Sequence, residues 1–551
     1  MNEVSARPTR YTATLVAACL AVMVAQVAYS LPGALNGTFQ QAFSISGSQL
    51  TWITASFATA MVIFELTFGV IGDLFGRKQL LLGGTVLVVA GAFLCLNAHS
   101  VHMMWAGQAI AGVGAGALYP ISLAMIAAVA PGAQARAKAI ALWAGFLSIG
   151  AAISPVMAGL FARYGSWRGA YVVVIAAAGV SFLVSLTARN SSAPAGRRLD
   201  IPGQTALAVG LVALLWALTQ GSAVGFGRGE VVVGYVVGAV CLAAFVVIES
   251  RTDAPLLHLG LFTNRAFAIA GLTAVVGMFA FLGVCYSMSI WLGAVQHVEA
   301  LRIGLLFLFI QGPAFLLVPV VSRIIHRVSP RWVLTAGFAL IAASGFWCST
   351  FDVTTSVWTD FIAPLTCLGL GFAFTVGSIT AVALNTVPPR LAGMASATTN
   401  LLRDLGFALG PVLVGAVVTS IANSRLRAGL GTTLAASGLD APHAGAVTGI
   451  AHQGGAFAIN SLSVIPVPVD PAKAAGPGNP MPAMPAALHD LAFTSLGHAG
   501  STGFLVCGIC ALVSAGLTLL IGGPKQQPAA AGLAESVVHE VAGVAGDVSS
   551  A

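Results

Sequence analysis

Apolar residues fill this chain in long runs, and polar residues collect in the gaps between them. Fourteen runs reach the length a helix needs to cross a bilayer, about 20 residues. They are roughly 12–32, 50–71, 80–98, 102–130, 137–161, 168–188, 203–221, 231–249, 266–292, 301–321, 332–350, 358–384, 395–422 and 501–522. The pattern predicts an all-α integral membrane protein with fourteen spans. Two long stretches lie outside it. Residues 423–500 hold Pro466, Pro468, Pro471, Pro477, Pro480, Pro482 and Pro485, which predict extended or mobile chain. Within that stretch the apolar segment 444–465 reads as a surface or re-entrant piece rather than a span. After Pro524 comes an Ala-rich tail in which Val537, Val541, Val544 and Val548 make one weak amphipathic face.

Composition narrows the class. The chain has 551 residues, 58% hydrophobic and only 7% charged, with a mean hydropathy of +0.93. A soluble protein carries about 25% charged residues, so a soluble enzyme and a single-spanner are both excluded. The net charge of +7 does not mark a nucleic-acid partner, because the cations lie singly or in pairs in short gaps. Sixteen of the 24 Lys and Arg fall on the face that holds the N-terminus, seven fall on the other, and Arg403 lies inside a run. That bias places both termini in the cytoplasm. The first run is long enough to act as an uncleaved anchor. Arg outnumbers Lys and Ala and Gly are abundant, which points to a GC-rich bacterial genome and hence to a bacterial inner membrane.

Catalytic chemistry is not signalled. The eight cysteines sit in or near apolar runs and imply no disulfide framework. Cys507 and Cys510 share a helix face, but no further ligand pair is near them, so helix packing is the expected role. Gly112-Val-Gly114-Ala-Gly116 lies inside an apolar run with no strand before it, which favours close helix packing over a nucleotide loop. No Walker-type loop occurs, so ATP-driven transport within this chain is not expected. No cofactor and no metal are expected either.

One gap is dense in glycine and charge: Gly69-Val-Ile-Gly-Asp73-Leu-Phe-Gly76-Arg77-Lys78. About 250 residues later, Val321-Ser-Arg323-Ile-Ile-His326-Arg327-Val-Ser-Pro-Arg331 looks like a decayed copy. The repeat divides the chain into a first six-helix half (1–190), a linker with two inserted helices (191–255), a second six-helix half (256–522, with an extracytoplasmic loop 423–500) and a cytoplasmic tail (523–551). Duplicated halves around a central site are a common transporter design. The spacing G-x-x-x-D-x-x-G-R-K resembles the signature loop of the major facilitator superfamily. Several further stretches are similar to its fourteen-helix drug:proton antiporters: Trp52-Ile-Thr-Ala, Gly112 to Pro120, Ser154-Pro155-x-x-Ala158-Gly159, Leu199-Asp200-Ile-Pro-Gly203, Val387-Pro-Pro-Arg390 and Asn400-Leu-Leu-Arg403-Asp404. The resemblance implies the major facilitator fold. It also implies a gating loop (Gly69, Asp73, Gly76, Arg77, Lys78) whose charges meet the other half near Arg323, His326 and Arg327.

The departures from that pattern bear on energy coupling. Met23 stands near the position where the first helix of the family carries Asp. Gln108 replaces an Arg before the glycine-rich run. Ser154 replaces the Gly of the antiporter motif, whose region here includes Pro155 and Gly159. Glu65 is the one acid deep in a span, two turns before Asp73. A charge there is costly, which makes Glu65 the candidate carrier of a proton or partner of a cation; a structural carboxyl bonded to a neighbouring helix is the alternative. Arg403 and Asp404 are read as an ion pair near the cytoplasmic side. Gln26, Gln108, Tyr286, Trp291, Gln311 and Asn400 are candidates to line a central cavity, each with helix–helix bonding as the alternative.

The expected function is secondary active export of hydrophobic or cationic small molecules, that is, multidrug efflux and antibiotic resistance, by alternating access and driven by protons. The partners expected are an amphipathic substrate, protons and the lipid bilayer. The resemblance adds a periplasmic adaptor and outer-membrane channel; nucleic acid is excluded. Two other readings stand beside this one. Met23, Gln108 and Ser154 allow a lipid or fatty-acid exporter or an uncoupled facilitator. The loop 423–500 and the tail allow a non-transporting membrane sensor or assembly partner.

Overall fold

The computed structural model describes residues 6–131, 133–192, 199–252, 255–384, 386–387, 392–437, 441–462 and 485–521. Fourteen helices among these are long and apolar enough to cross a membrane. The first half comprises α1 (Ala6–Ser30), a short α2 (Asn36–Phe43), α3 (Gly47–Phe75), α4 (Arg77–Leu96), α5 (Val101–Val129), α6 (Ala133–Tyr164) and α7 (Arg168–Ser185). Two inserted helices follow, α8 (Ile201–Val224) and α9 (Gly229–Arg251). The second half holds α10 (Arg265–Ser289), α11 (Ala300–Arg327), α12 (Pro330–Ser349), α13 (Ile362–Leu384), α14 (Ala392–Ala436), α15 (Ala441–Leu462) and α16 (Ala486–Leu519). All but α2 and α15 are spans. The face at which α1 begins is called the near face below, and the opposite one the far face.

The halves meet along two seams, α3 against α14 and α6 against α11. α8 packs on both α3 and α14, and α9 packs on α8. The outer side of α9 exposes Val232, Val233, Val236, Val237 and Val240, an apolar stripe suited to lipid. Inside each half, small residues let helices touch. Gly112 and Gly116 of α5 lie on the backbone of α3 at Phe57 and Met61, the packing expected of the glycine-rich run.

The structure differs from the sequence pattern in three places. The stretch 69–78 is hardly a loop: α3 runs to Phe75, α4 starts at Arg77, and Gly76 alone joins them. Its φ of 112° is open to glycine and strained for other residues, so the chain reverses within one residue. The second copy is also helical at its start, because α11 continues to Arg327. The side chains of Arg323, His326 and Arg327 lie outside the described residues. The largest difference is in 423–500. α14 extends to Ala436, α15 covers 441–462 and α16 begins at Ala486. The Ala- and Leu-rich sequence on either side of the prolines supports helix, and residues 438–440 and 463–484, the latter holding the prolines from Pro466 to Pro482, lie outside the described residues. The tail 523–551 lies outside them as well.

Candidate functional site

A cavity of about 460 Å³ lies between the halves, walled by α1, α3, α5 and α6 on one side and α10, α11, α13 and α14 on the other. Most of its wall is apolar. Phe281 and Phe372 stack with centroids 4.1 Å apart and planes at 12°. Phe407 tilts against both, at 6.2 Å and 6.4 Å. Opposite them stand Met61, Trp143 and Leu147. A flat apolar molecule fits such a surface through area burial and ring stacking.

Polar groups enter this wall as two chains. In the first, Tyr119 Oη donates to Gln26 Oε1 at 2.7 Å, and Gln26 Nε2 donates to Ser30 Oγ at 2.8 Å. The second is ionic. Arg403 donates from Nε to Asp404 Oδ1 at 2.9 Å and from Nη2 to Oδ2 at 3.2 Å. Its Nη1 reaches Asn400 Oδ1 at 3.3 Å. The Asp404 side chain is 6% exposed and that of Arg403 22%, and both line the cavity. Behind this pair lies Glu65 of α3, buried, with Oε2 lacking a hydrogen-bond partner. Asp404 and Arg403 are the charged groups whose fields act on Glu65. Glu65 from the first half and Arg403–Asp404 from the second therefore form one cluster across the α3–α14 seam. Removing one partner from a buried ionic cluster leaves an uncompensated charge, at a cost of about 3–5 kcal/mol.

The candidate residues separate by place. Gln26, Tyr286 and Gln311 line the cavity. Gln108 does not: it is buried between α5 and α7 and donates to Tyr171 Oη at 3.0 Å. Trp291 is fully buried against Phe361 and Phe504. Asn400 serves Arg403. Arg403 and Asp404 sit three turns into α14, at the cavity wall rather than near a helix end. Tyr29, Tyr119, Phe372 and Phe407 line the cavity without having been singled out from the sequence. Tyr29 and Gly33 follow Gln26 at i+3 and i+7, a helix-face spacing that points to Tyr29 once Gln26 is chosen.

The other motif residues serve packing and sealing. Ser154 Oγ donates to Val27 O at 2.6 Å and ties α6 to α1, and Gly150 lies on the Met23 carbonyl. Pro155 and Gly159 meet Gly304 and Leu301 of α11 across the second seam. Arg77 bonds Asp73 Oδ1 at 2.8 Å and Ala124 O at 3.2 Å, and its backbone N–H bonds Ser191 O at 2.9 Å. Lys78 reaches Leu186 O. These partners of the Gly69–Lys78 stretch all belong to the first half or to the strand of chain that leaves it.

At the far face the halves are in close contact. Asn36 Nδ2 donates to Ser289 Oγ at 2.9 Å, Ser289 donates to Gly33 O, and Thr51 Oγ1 and Tyr286 Oη are 2.8 Å apart. Gly37 rests on the backbone of Gly293. Arg163 of α6 pairs with Glu299, just before α11, at 3.1 Å. At the near end of α3, Gly69 has open space around it.

Comparison with known proteins places this geometry. The family model described as Major Facilitator Superfamily matches residues 18–411. "Multidrug resistance protein Stp" of Mycobacterium tuberculosis is 29% identical over 382 residues, covering 69% of this chain and 71% of that protein. "Tetracenomycin C resistance and export protein" of Streptomyces glaucescens is 27% identical over 418 residues, covering 74% and 76%. Among solved structures, a bacterial homologue of the human lysosomal transporter Spinster, inward-facing and occupied, superposes with a TM-score of 0.58 at 14% identity over 93% of this chain and 97% of that one. That likeness is one of fold.

Proposed function

The chain belongs to the major facilitator superfamily, and on that premise we propose that it exports amphipathic or cationic small molecules across a bacterial inner membrane by alternating access, driven by proton entry. The observation that carries this reading is the cluster of Glu65, Asp404 and Arg403 at the wall of an aromatic cavity, with Glu65 in the first half and Arg403 and Asp404 in the second. A carboxyl pair that straddles the seam can hold a proton in one arrangement of the halves and release it in the other. A cationic substrate competes with that proton for the same acids, and the Phe281–Phe372–Phe407 surface holds its apolar part. The resistance and export proteins among its relatives support the substrate class. The positive-charge bias makes the near face cytoplasmic, and the sealed far face then corresponds to an inward-open state. The domain limits 1–190, 191–255 and 256–522 are part of this proposal, and an adaptor and outer-membrane channel, if recruited, would meet the far face.

An uncoupled facilitator is the second reading. It is favoured by Gln108 and Ser154, which fill usual coupling positions and here make packing bonds. The two are separated with purified protein in proteoliposomes loaded with a fluorescent cationic dye. Proton-driven export requires dye movement that follows an imposed pH gradient and stops with an uncoupler. Glu65→Gln is expected to lose the response to the gradient while keeping dye binding. Dye that moves equally well after the uncoupler refutes proton coupling. A full gradient response in Glu65→Gln removes Glu65 from the proton path.

A further inference from the structure

α15 is not a span, and neither the cavity nor the acid cluster uses it. It crosses the far face with a bend at Gly455, whose φ is 66°. The bend is held from one side: Asn423 Oδ1 of α14 accepts from Ala456 N at 3.0 Å. Beyond it, the last two turns of α15 lie over the line where the halves meet. On the second half, Asn460 Nδ2 donates to Ala294 O and Val295 O, both at 3.1 Å. These carbonyls end the π-helical turn Ile290–Val295 that follows α10, where a helix lacks its own donors. On the first half, Gln40 Nε2 of α2 donates to Phe457 O at 2.7 Å, and the Phe457 ring covers Gly47 at the start of α3. Gln40, Phe457 and Asn460 are all buried.

We propose that α15 is a latch that holds the far face closed by joining α2 of the first half to the end of α10 in the second. Among the described residues its attachments are unequal. It is bonded to the second half through Asn423, Ala294 and Val295 and is linked to α14 and α16 along the chain, whereas one hydrogen bond, donated by Gln40 to Phe457 O, ties it to the first half. When the far face opens, α15 therefore travels with the second half, and the Gln40–Phe457 bond is the one that breaks. Gly455 is the joint that lets the last two turns bend over the seam, because a Cβ there would run into Asn423.

The latch concerns closure, not what is carried or how transport is driven, so its test reads conformation directly. Spin labels on Thr38 of α2 and Ser356, before α13, report the width of the far face in detergent-solubilised full chain. Losing one buried neutral hydrogen bond shifts a two-state balance about fivefold. Gln40→Ala is thus expected to raise the population with a wide far face about fivefold. Gly455→Ala, which acts without touching the first half, is expected to do the same. Asn423→Ala on its own should follow Gly455→Ala. Unchanged distance distributions in Gln40→Ala and Gly455→Ala, with both proteins folded by circular dichroism, overturn the latch. So does a wide far face in which a label on Phe457 stays with α2.

Discussion

The two ends of the seam between the halves are built differently. At the far end the backbones touch: Gly37 on Gly293, Gly159 on Leu301, Gly304 on Pro155. At the near end of α3, Gly69 has open space where a Cβ would go. Both ends use glycine, but only one uses it for contact in this conformation. Backbone contact is intolerant of any added atom, and its attraction, a sum of many small dispersion terms, loses about a quarter to a half of its depth over a gap of ~0.5–1 Å. A seam made this way is either shut or open. On the alternating-access reading proposed above, the glycine with nothing against it is the one that meets its partner when the near end shuts. The comparison teaches that small residues of the seam serve contact at one end and leave room at the other.

The largest effect is expected where the far contact is tightest. A Cβ on Gly37 runs into the Gly293 carbonyl. Overpacking a closed contact costs about 1–3 kcal/mol, enough to move a two-state balance by roughly fivefold to 150-fold. Gly37→Val is expected to hold the far face open and to abolish export, while leaving Gly69 untouched. Labelling of a cysteine placed at Asn36 by an impermeant reagent from the far side should rise by the same factor. An unchanged labelling rate would mean that the far contact gives way easily, and that the two ends do not differ as described.

The mirror experiment is Gly69→Leu. Nothing lies within 4 Å of a Cβ added there, so folding and cavity binding should be little affected. Closure of the near end should be blocked. Dye binding with near-normal affinity and export reduced tenfold or more is the expected result. Normal export would show that α3 does not meet the second half at Gly69 in any state. This variant tests the seam without touching Glu65, so it also separates a gating defect from a coupling defect.

These residues show how far the sequence could be read. Fourteen runs of bilayer length gave fourteen spans, because a run that long has few other uses. Gly69 to Lys78 marked the right turn but not its form, since a positive φ at Gly76 is invisible in the pattern. The stretch 423–500 misled because α14 and α16 continue past the membrane, where hydropathy no longer marks a helix. Site residues were harder still. A helix that meets lipid on one side and packed protein on the other is apolar all round, so the pattern does not tell which face looks into a cavity. Gln26, Tyr286 and Gln311 line it, whereas Gln108 and Trp291, equally plausible in sequence, are buried elsewhere. Glu65 and Asp404 could each be singled out as charges in apolar runs. That they converge follows only from the packing of α3 on α14.

The smallest effect is expected from the ion pair Arg163–Glu299, which crosses the far seam. Arg163 and Glu299 are 3.1 Å apart, with side chains 46% and 35% exposed, and Arg302 also approaches Glu299 at 4.0 Å. Exposed pairs contribute about 0.2–1 kcal/mol, and Arg302 retains part of the attraction when Arg163 is removed. Arg163→Ala is therefore expected to raise far-side labelling at Asn36 by a few-fold at most. Salt provides the control, because the screening length falls to about 3 Å in ~1 M salt. The difference between Arg163→Ala and the parent should disappear there, while the effect of Gly37→Val should persist. If Arg163→Ala instead opened the far face as widely as Gly37→Val, charge rather than backbone contact would be holding that end. The near end would then need its own charged pair to shut, and Gly69→Leu should have little effect.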